Sequence, residues 1–149
     1  MEIKRIYPDD AGQVTGLFDQ YRRFYEQPSD IALAEQFIRD RLSNNESVIF
    51  IAMDNDIPAG FTQLYPKYSS VRASKNWILN DLYVDVAYRK RGIGEALIKT
   101  AMDFAKSQGA AFVQLETAVD NYAAQRLYEA MGFVKQEPET DFLVYVIGV

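Results

Sequence analysis

The run Arg89-Lys90-Arg91-Gly92-Ile93-Gly94-Glu95 sets three cations and two glycines close together, between an apolar stretch and a helical pattern. The chemistry suited to that composition is anion binding. The first amides of a helix lack intrahelical acceptors, and the helix dipole adds partial positive charge at the same end. Gly92 and Gly94 let phosphate oxygens approach the backbone, and Arg89, Lys90 and Arg91 add full charges beside it. A tight turn with merely solvated cations is the plainer alternative. Spacing excludes two other phosphate loops. The Walker pattern GxxxxGK followed by Ser or Thr does not occur. The dinucleotide pattern GxGxxG fails at Leu97, where its third glycine would stand.

The remaining reactive groups are few. The chain has no cysteine, which excludes disulfides, thiolate zinc sites, haem attachment and cysteine nucleophiles. It has no histidine, which removes Ser-His-Asp triads, HExxH zinc sites and the usual neutral-pH proton shuttle. Chemistry must therefore run on Tyr, Asp, Glu, Lys, Arg, hydroxyls, backbone amides or a bound cofactor, with no metal expected. The formal net charge of -5 argues against a duplex-DNA face, so no nucleic-acid partner is expected. It leans weakly toward cationic substrates, although solubility alone produces such a balance.

These residues need a scaffold. The 149 residues, 48% hydrophobic and 25% charged, suit one domain spanning 1–149. No repeat or Pro/Gly/Ser-rich linker divides them. Met1 to Ile6 lacks the apolar stretch of a signal peptide. The longest apolar run, Val48 to Met53, is far short of the ~20 residues that span a bilayer. A soluble, cytoplasmic protein with no membrane partner is the expectation.

Alternation over Glu2–Tyr7 predicts a half-buried strand, and Pro8-Asp9-Asp10 a turn and helix cap. Val14, Leu17, Phe18, Tyr21 and Phe24 or Tyr25 then recur at helical spacing. A second helix restarts at Pro28-Ser29-Asp30, with Ile31, Ala34, Ile38 and Leu42 on one stripe and Ser43-Asn44-Asn45 at its end. Val48–Met53 and Ile57–Tyr65 read as strands about an Asp54-Asn55-Asp56 turn. Pro66–Lys75 reads as a polar mobile loop and Asn76–Val84 as the next strand. After the charged turn Asp85–Arg91 a helix carries Ile93, Leu97, Ala101, Phe104 and Ala105 on one face, with Gly109 beyond its end. Ala111–Thr117 is predicted as strand, Asn121–Met131 as helix stopped by Gly132, and Asp141–Ile147 as a closing strand. The order β-α-α-β-β-β-α-β-α-β-β combines antiparallel hairpins with βαβ crossovers. It predicts an α/β (α+β mixed) domain with a mixed, mostly antiparallel sheet flanked by helices.

Arg89-x-x-Gly92-x-Gly94 after a strand resembles the acetyl-CoA pyrophosphate loop of the GNAT N-acetyltransferase superfamily: Gln or Arg, two residues, Gly, one residue, Gly or Ala. Asn121-Tyr122-Ala123-Ala124-Gln125-Arg126-Leu127-Tyr128-Glu129-Ala130-Met131-Gly132-Phe133 is similar to that family's N-x-x-A-x-x-x-Y-x-x-x-G-F segment. The element order agrees too, so the resemblance covers essentially the whole chain.

The resemblance implies an acetyl-CoA cosubstrate with the pantetheine arm along Leu82, Tyr83 and Val84. The pyrophosphate would be wrapped by Arg89, Lys90, Arg91, Gly92, Ile93, Gly94 and Glu95. Asn121 and Ala124 take the positions that contact the pantetheine and nucleotide. The implied reaction is direct transfer in a ternary complex: a neutral amine attacks the acetyl carbonyl, an amide near Val84 stabilises the oxyanion, and the thiolate leaves. Tyr128 matches the tyrosine that protonates that thiolate. A core aromatic is the alternative reading from the residues alone. Transfer from a phenol of pKa ~10 to a thiolate of pKa ~8.5 is uphill by about 2 kcal/mol, so Tyr128 acts first as a hydrogen-bond donor. An acceptor ammonium of pKa ~10.4 must lose its proton, at roughly 4.6 kcal/mol at pH 7. Asp81 and Glu116 are the candidate acceptors of that proton, and either could be a merely solvated or capping carboxylate.

Ile78-Leu79-Asn80-Asp81-Leu82-Tyr83-Val84 also resembles the L-E-D-F/L-F/Y-V strand of diamine and polyamine acetyltransferases. Asn80 stands where that branch has a substrate-binding glutamate, so Asn80, Asp81 and Glu116 are the candidate acceptor residues and polyamine specificity is weakened. Phe61, Tyr65, Tyr68 and Trp77 are candidates to line an acceptor pocket by cation–π contact, or else belong to the core. The expected acceptor is a primary amine, either a small amine or polyamine or a protein or peptide lysine. Alternatives are an aminoglycoside-type enzyme and a non-catalytic acyl-CoA sensor. The family's habits also imply a homodimer, with Phe142–Ile147 apolar enough to pair with a partner.

Overall fold

The computed structural model describes residues 1–149. Its elements run β1 (Glu2–Ile6), α1 (Ala11–Phe24), α2 (Ile31–Ser43), β2 (Val48–Asp54), β3 (Ile57–Ser69), β4 (Ser74–Val84), α3 (Ile93–Ser107), β5 (Val113–Gln114) and α4 (Tyr122–Ala130). Short 3-10 turns cover Pro8–Asp10 and Val86–Tyr88. The chain divides into two compact units, Met1–Glu116 and Thr117–Val149.

In the first unit the strands form one sheet in the order β1-β2-β3-β4-β5, antiparallel throughout except for the parallel β4–β5 pair. Central β2 explains itself by composition. Ile49, Ile51 and Met53 join the core under α1 and α2, where Val14, Leu17, Phe18, Ala34 and Ile38 are also buried. On the opposite face Phe50 meets Phe104 of α3, so a strand covered on both sides is apolar at nearly every position. Asp19 on α1 accepts hydrogen bonds from the Ser29 hydroxyl at 2.7 Å and the Asp30 amide at 2.8 Å, which secures the start of α2. Asp30 caps that helix through the Leu33 amide.

Three expectations need correction. Pro66–Lys75 is not a mobile loop: β3 continues to Ser69 and pairs with β4 from Ser74 onward. Pro66 is tolerated because β2 ends opposite Leu64, so β3 beyond that point has a free edge. Residues at the outer ends of the two helical stripes, Phe24 and Tyr25 at the end of α1 and Ile31 on α2, are exposed, whereas Ala34, Ile38 and Leu42 are buried. Lastly, residues after α4 form no strand, including Asp141–Ile147. A strand requires a neighbour to complete its ladder, and within the second unit no strand runs beside this segment.

Candidate active site

Strand β4 is paired unequally along its two edges. Toward β3 it is hydrogen-bonded over its whole length, but toward β5 only Trp77 and Ile78 have partners, Val113 and Gln114. From Leu79 to Val84 no β5 residue pairs with the second edge, although the Val84 carbonyl is taken by a side chain, Arg89. Asn76 fixes the approach to β5 by accepting from the Ala111 amide at 2.7 Å and the Phe112 amide at 3.2 Å. An extended ligand carrying its own amides can add to such an edge as a strand does.

A bulge sits in the same stretch. Gln63 faces Asp81 while Leu64 faces Leu79, so Asn80 is the extra residue on β4. Asn80 is exposed and its side-chain amide donates to Asp81 at 2.8 Å. Asp81 itself is buried, and the Gln63 amide and the Tyr21 hydroxyl also donate to it. Burial pushes its carboxyl above the ordinary aspartate range, and the three donors only partly offset that. Three donors on about four lone-pair positions leave room for one more N–H. Burial, reinforced by the Asp81 charge, raises the Tyr21 and Tyr65 phenols as well, so both remain neutral donors. Tyr83 joins this aromatic lining, with its hydroxyl donating to Gln20 at 3.3 Å and its ring 6.4 Å from that of Tyr21.

Beyond Val84 the chain turns into the glycine-rich loop. Asp85 is anchored through its amide to the Ala59 carbonyl at 2.9 Å, and its carboxylate caps Ala87. Lys90 and Gly92 both adopt left-handed backbone, with φ of 63° and 77°. Helix α3 begins with no side-chain cap, and its first backbone bond runs from Ala96 to Gly92. The Ile93, Gly94 and Glu95 amides thus precede the first helical hydrogen bond, a concave set of donors suited to a diphosphate. Lys90 and Arg91 are exposed beside them. Arg89 is placed differently: its Nε donates to the Val84 carbonyl at 3.0 Å and its guanidinium lies 5.6 Å from the Tyr83 ring centroid. It braces the strand-to-loop corner.

In the second unit, Asn121 is the N-cap of α4 and accepts from the Ala124 amide at 3.2 Å. Gln125 ties the preceding turn by donating to the Ala118 and Val119 carbonyls. Tyr128 is half-buried, and its ring lies 6.0 Å from Phe133 in an edge-on arrangement. The Phe133 amide returns to the Tyr128 carbonyl after Gly132, whose φ of 99° ends the helix. Glu116 is exposed after β5.

The aromatic patch named from the sequence divides in two, with Phe61 and Tyr65 on the side of Tyr21 and Asp81 and with Tyr68 and Trp77 around Lys75. Phe61 is buried against Phe18 and Tyr21 of α1, whereas Trp77 packs on Phe104 of α3, on the other sheet face. Alternation along strands separates residues that proximity in sequence groups. Sequence reasoning missed Tyr21 and Gln63, which reach Asp81 across long separations. The usable signal was Thr62-Gln63, a polar pair in an otherwise apolar central strand; Thr62 also donates to the Asp81 carbonyl at 2.8 Å.

An open strand edge leading into a cradle of amides defines a site for an extended, amide-bearing chain that ends in a polyanion. The model of the Acetyltransferase (GNAT) family matches residues 14–133. The chain is 44% identical over 149 residues to YhfO of Bacillus subtilis (strain 168), described as an uncharacterized N-acetyltransferase, covering 100% of this chain and 98% of that one. A crystal structure of a probable acetyltransferase superposes with a TM-score of 0.90 at 32% identity, over 99% of both chains. Aminoglycoside N-acetyltransferase AAC(6')-Iy in complex with CoA shares the fold at a TM-score of 0.81 and 19% identity, over 97% of this chain and 95% of that one. The chain belongs to the GNAT acetyltransferase family and is an N-acetyltransferase.

Proposed function

We propose that this enzyme transfers the acetyl group of acetyl-CoA directly to a primary amine in a ternary complex. The observation that carries this reading is the β4 edge beyond Ile78, which no β5 residue pairs, continuing into the uncapped start of α3. The pantetheine amides complete that edge beside Leu82, Tyr83 and Val84. The diphosphate lies on the Ile93, Gly94 and Glu95 amides, with Lys90 and Arg91 adding charge and Arg89 holding the corner. Asn121 and Ala124 act through the start of α4.

The amine nitrogen attacks the thioester carbon, a β4 amide near Val84 steadies the oxyanion, and the C–S bond breaks as the tetrahedral centre collapses. The Tyr128 hydroxyl donates toward the departing sulfur. Asp81 suits the incoming amine best, because its raised carboxyl pKa narrows the gap to an ammonium and one acceptor position is open. Exposed Glu116 relays the proton to water. Asn80 in place of an acidic residue favours a small monoamine or a lysine side chain over a polyamine. We also propose a homodimer, supported by the exposed apolar run Phe142–Ile147.

The test is acetyl transfer to a panel of monoamines, polyamines, lysine peptides and aminoglycosides, alongside coenzyme A titration. Saturable coenzyme A binding with turnover on one class supports the proposal and names the acceptor. Binding without turnover on any amine would instead indicate an acyl-CoA sensor.

A further inference from the structure

A second recess, of about 230 Å³, opens at the opposite end of β4, where β1, the start of β2 and the last turns of α3 meet. Its lining includes Arg5, Ser47, Lys75, Trp77, Glu46 and Phe104. Three of these carry buried polar atoms with no hydrogen-bond partner: Arg5 Nε, Ser47 Oγ and Trp77 Nε1. Ser47 and Trp77 are each only 4% exposed. Buried donors without acceptors are uncommon, because each forfeits its hydration with nothing in return. Two of these three can only donate, and the third is a hydroxyl that donates readily.

The charges agree with the donors. Neither Arg5 nor Lys75 forms an ion pair; the ion pairs of the chain are Arg39–Glu35, Arg41–Glu46 and Lys99–Asp103. Both cations lie on aromatic faces instead. The Lys75 ammonium is 4.8 Å from the Trp77 ring centroid, and the Arg5 guanidinium is 5.4 Å from that of Phe104. The one carboxylate at the rim, Glu46, is engaged by Arg41 at 3.6 Å. Two cations without a carboxylate partner therefore border one small cavity, and an unpartnered indole N–H and hydroxyl lie just behind its wall.

We propose that this recess binds a small oxyanion, a phosphate or carboxylate group, at a site separate from the acetyl-transfer site. The oxyanion lies between the Arg5 guanidinium and the Lys75 ammonium, and the Trp77 and Ser47 side chains turn their unpartnered donors onto it as it binds. Trp77 is the only tryptophan of the chain and lines this recess, so its fluorescence reads an anion bound there.

The experiment titrates the full chain with inorganic phosphate and, separately, with succinate, against sodium chloride of matched ionic strength. A saturable change in Trp77 emission with either anion and not with chloride is expected, and the responding anion identifies the oxyanion class. Lys75→Gln, an exposed change that leaves the core intact, should weaken the apparent affinity ~10-fold, as should Ser47→Ala. No saturable response with either anion through tens of millimolar overturns the proposal. So does a response that chloride reproduces, or one that both variants retain unchanged. Coenzyme A binding and acetyl transfer by Lys75→Gln should match the parent chain, which separates this site from the catalytic one.

Discussion

In the proposed reaction two side chains carry most of the chemistry, and each yields its own expectation. Tyr128→Phe removes a hydroxyl and little else, so kcat should fall by ~10²–10⁴ while acetyl-CoA affinity is kept; steady-state rates and equilibrium binding together check this. Asp81 combines function with a stability penalty. Its folded pKa is raised above the ~3.9 of an unfolded aspartate, so the folded state holds the proton more tightly. Stability from this group is fully present below the unfolded pKa and is lost as pH rises through the folded pKa. Asp81→Asn should therefore be more stable than the parent at neutral pH, with the difference shrinking toward pH 4. The Gln63 carbonyl, buried without a partner, can accept from the new amide if Gln63 turns over. Thermal melts between pH 4 and 8 read the effect, and acceptor KM should rise in the same variant.

At the scale of elements, the site depends on where backbones come close or turn sharply. Gly60 on β3 faces Val84, and a Cβ there would lie 3.0 Å from the Tyr83 carbonyl and 3.3 Å from Leu97. Gly60→Ala should destabilise by ~1–3 kcal/mol and displace the end of β4, seen as a lower denaturation midpoint together with weaker coenzyme A binding. Gly92 has open space for a Cβ but a φ of 77°. Gly92→Ala should lose only ~1–2 kcal/mol, all of it backbone strain. Its larger effect should fall on coenzyme A affinity, because relief of that strain turns the loop amides away from their shared direction.

At the scale of the whole molecule, association turns on the apolar run Phe142–Ile147 of the second unit. Its side chains are 77–90% exposed, unusual for consecutive large hydrophobics. If this run pairs two copies, sedimentation should give a dimer for the parent chain and a monomer for Val144→Lys. A monomeric parent would remove the dimer from the proposal and leave acetyl transfer standing. No helix is long and apolar enough to cross a membrane.

Local chemistry made much of this protein legible before any fold was seen. The glycines and cations of the loop, the Asn121 cap, the Gly132 stop and the helix periodicities act within a few residues, so their spacing alone announces them. Helix α4 begins and ends where its capping residues say it should. What depended on tertiary structure is what depends on distant neighbours. Gln63 and Tyr21 reach Asp81 only because β3 and α1 pack beside β4, and the bulge at Asn80 exists only relative to its partner strand. The same holds for Pro66–Ser69, which is strand because β4 supplies the ladder, and for Asp141–Ile147, which lacks one. Helix ends are decided by their own residues, whereas strands and buried charges are decided by whatever lies across from them.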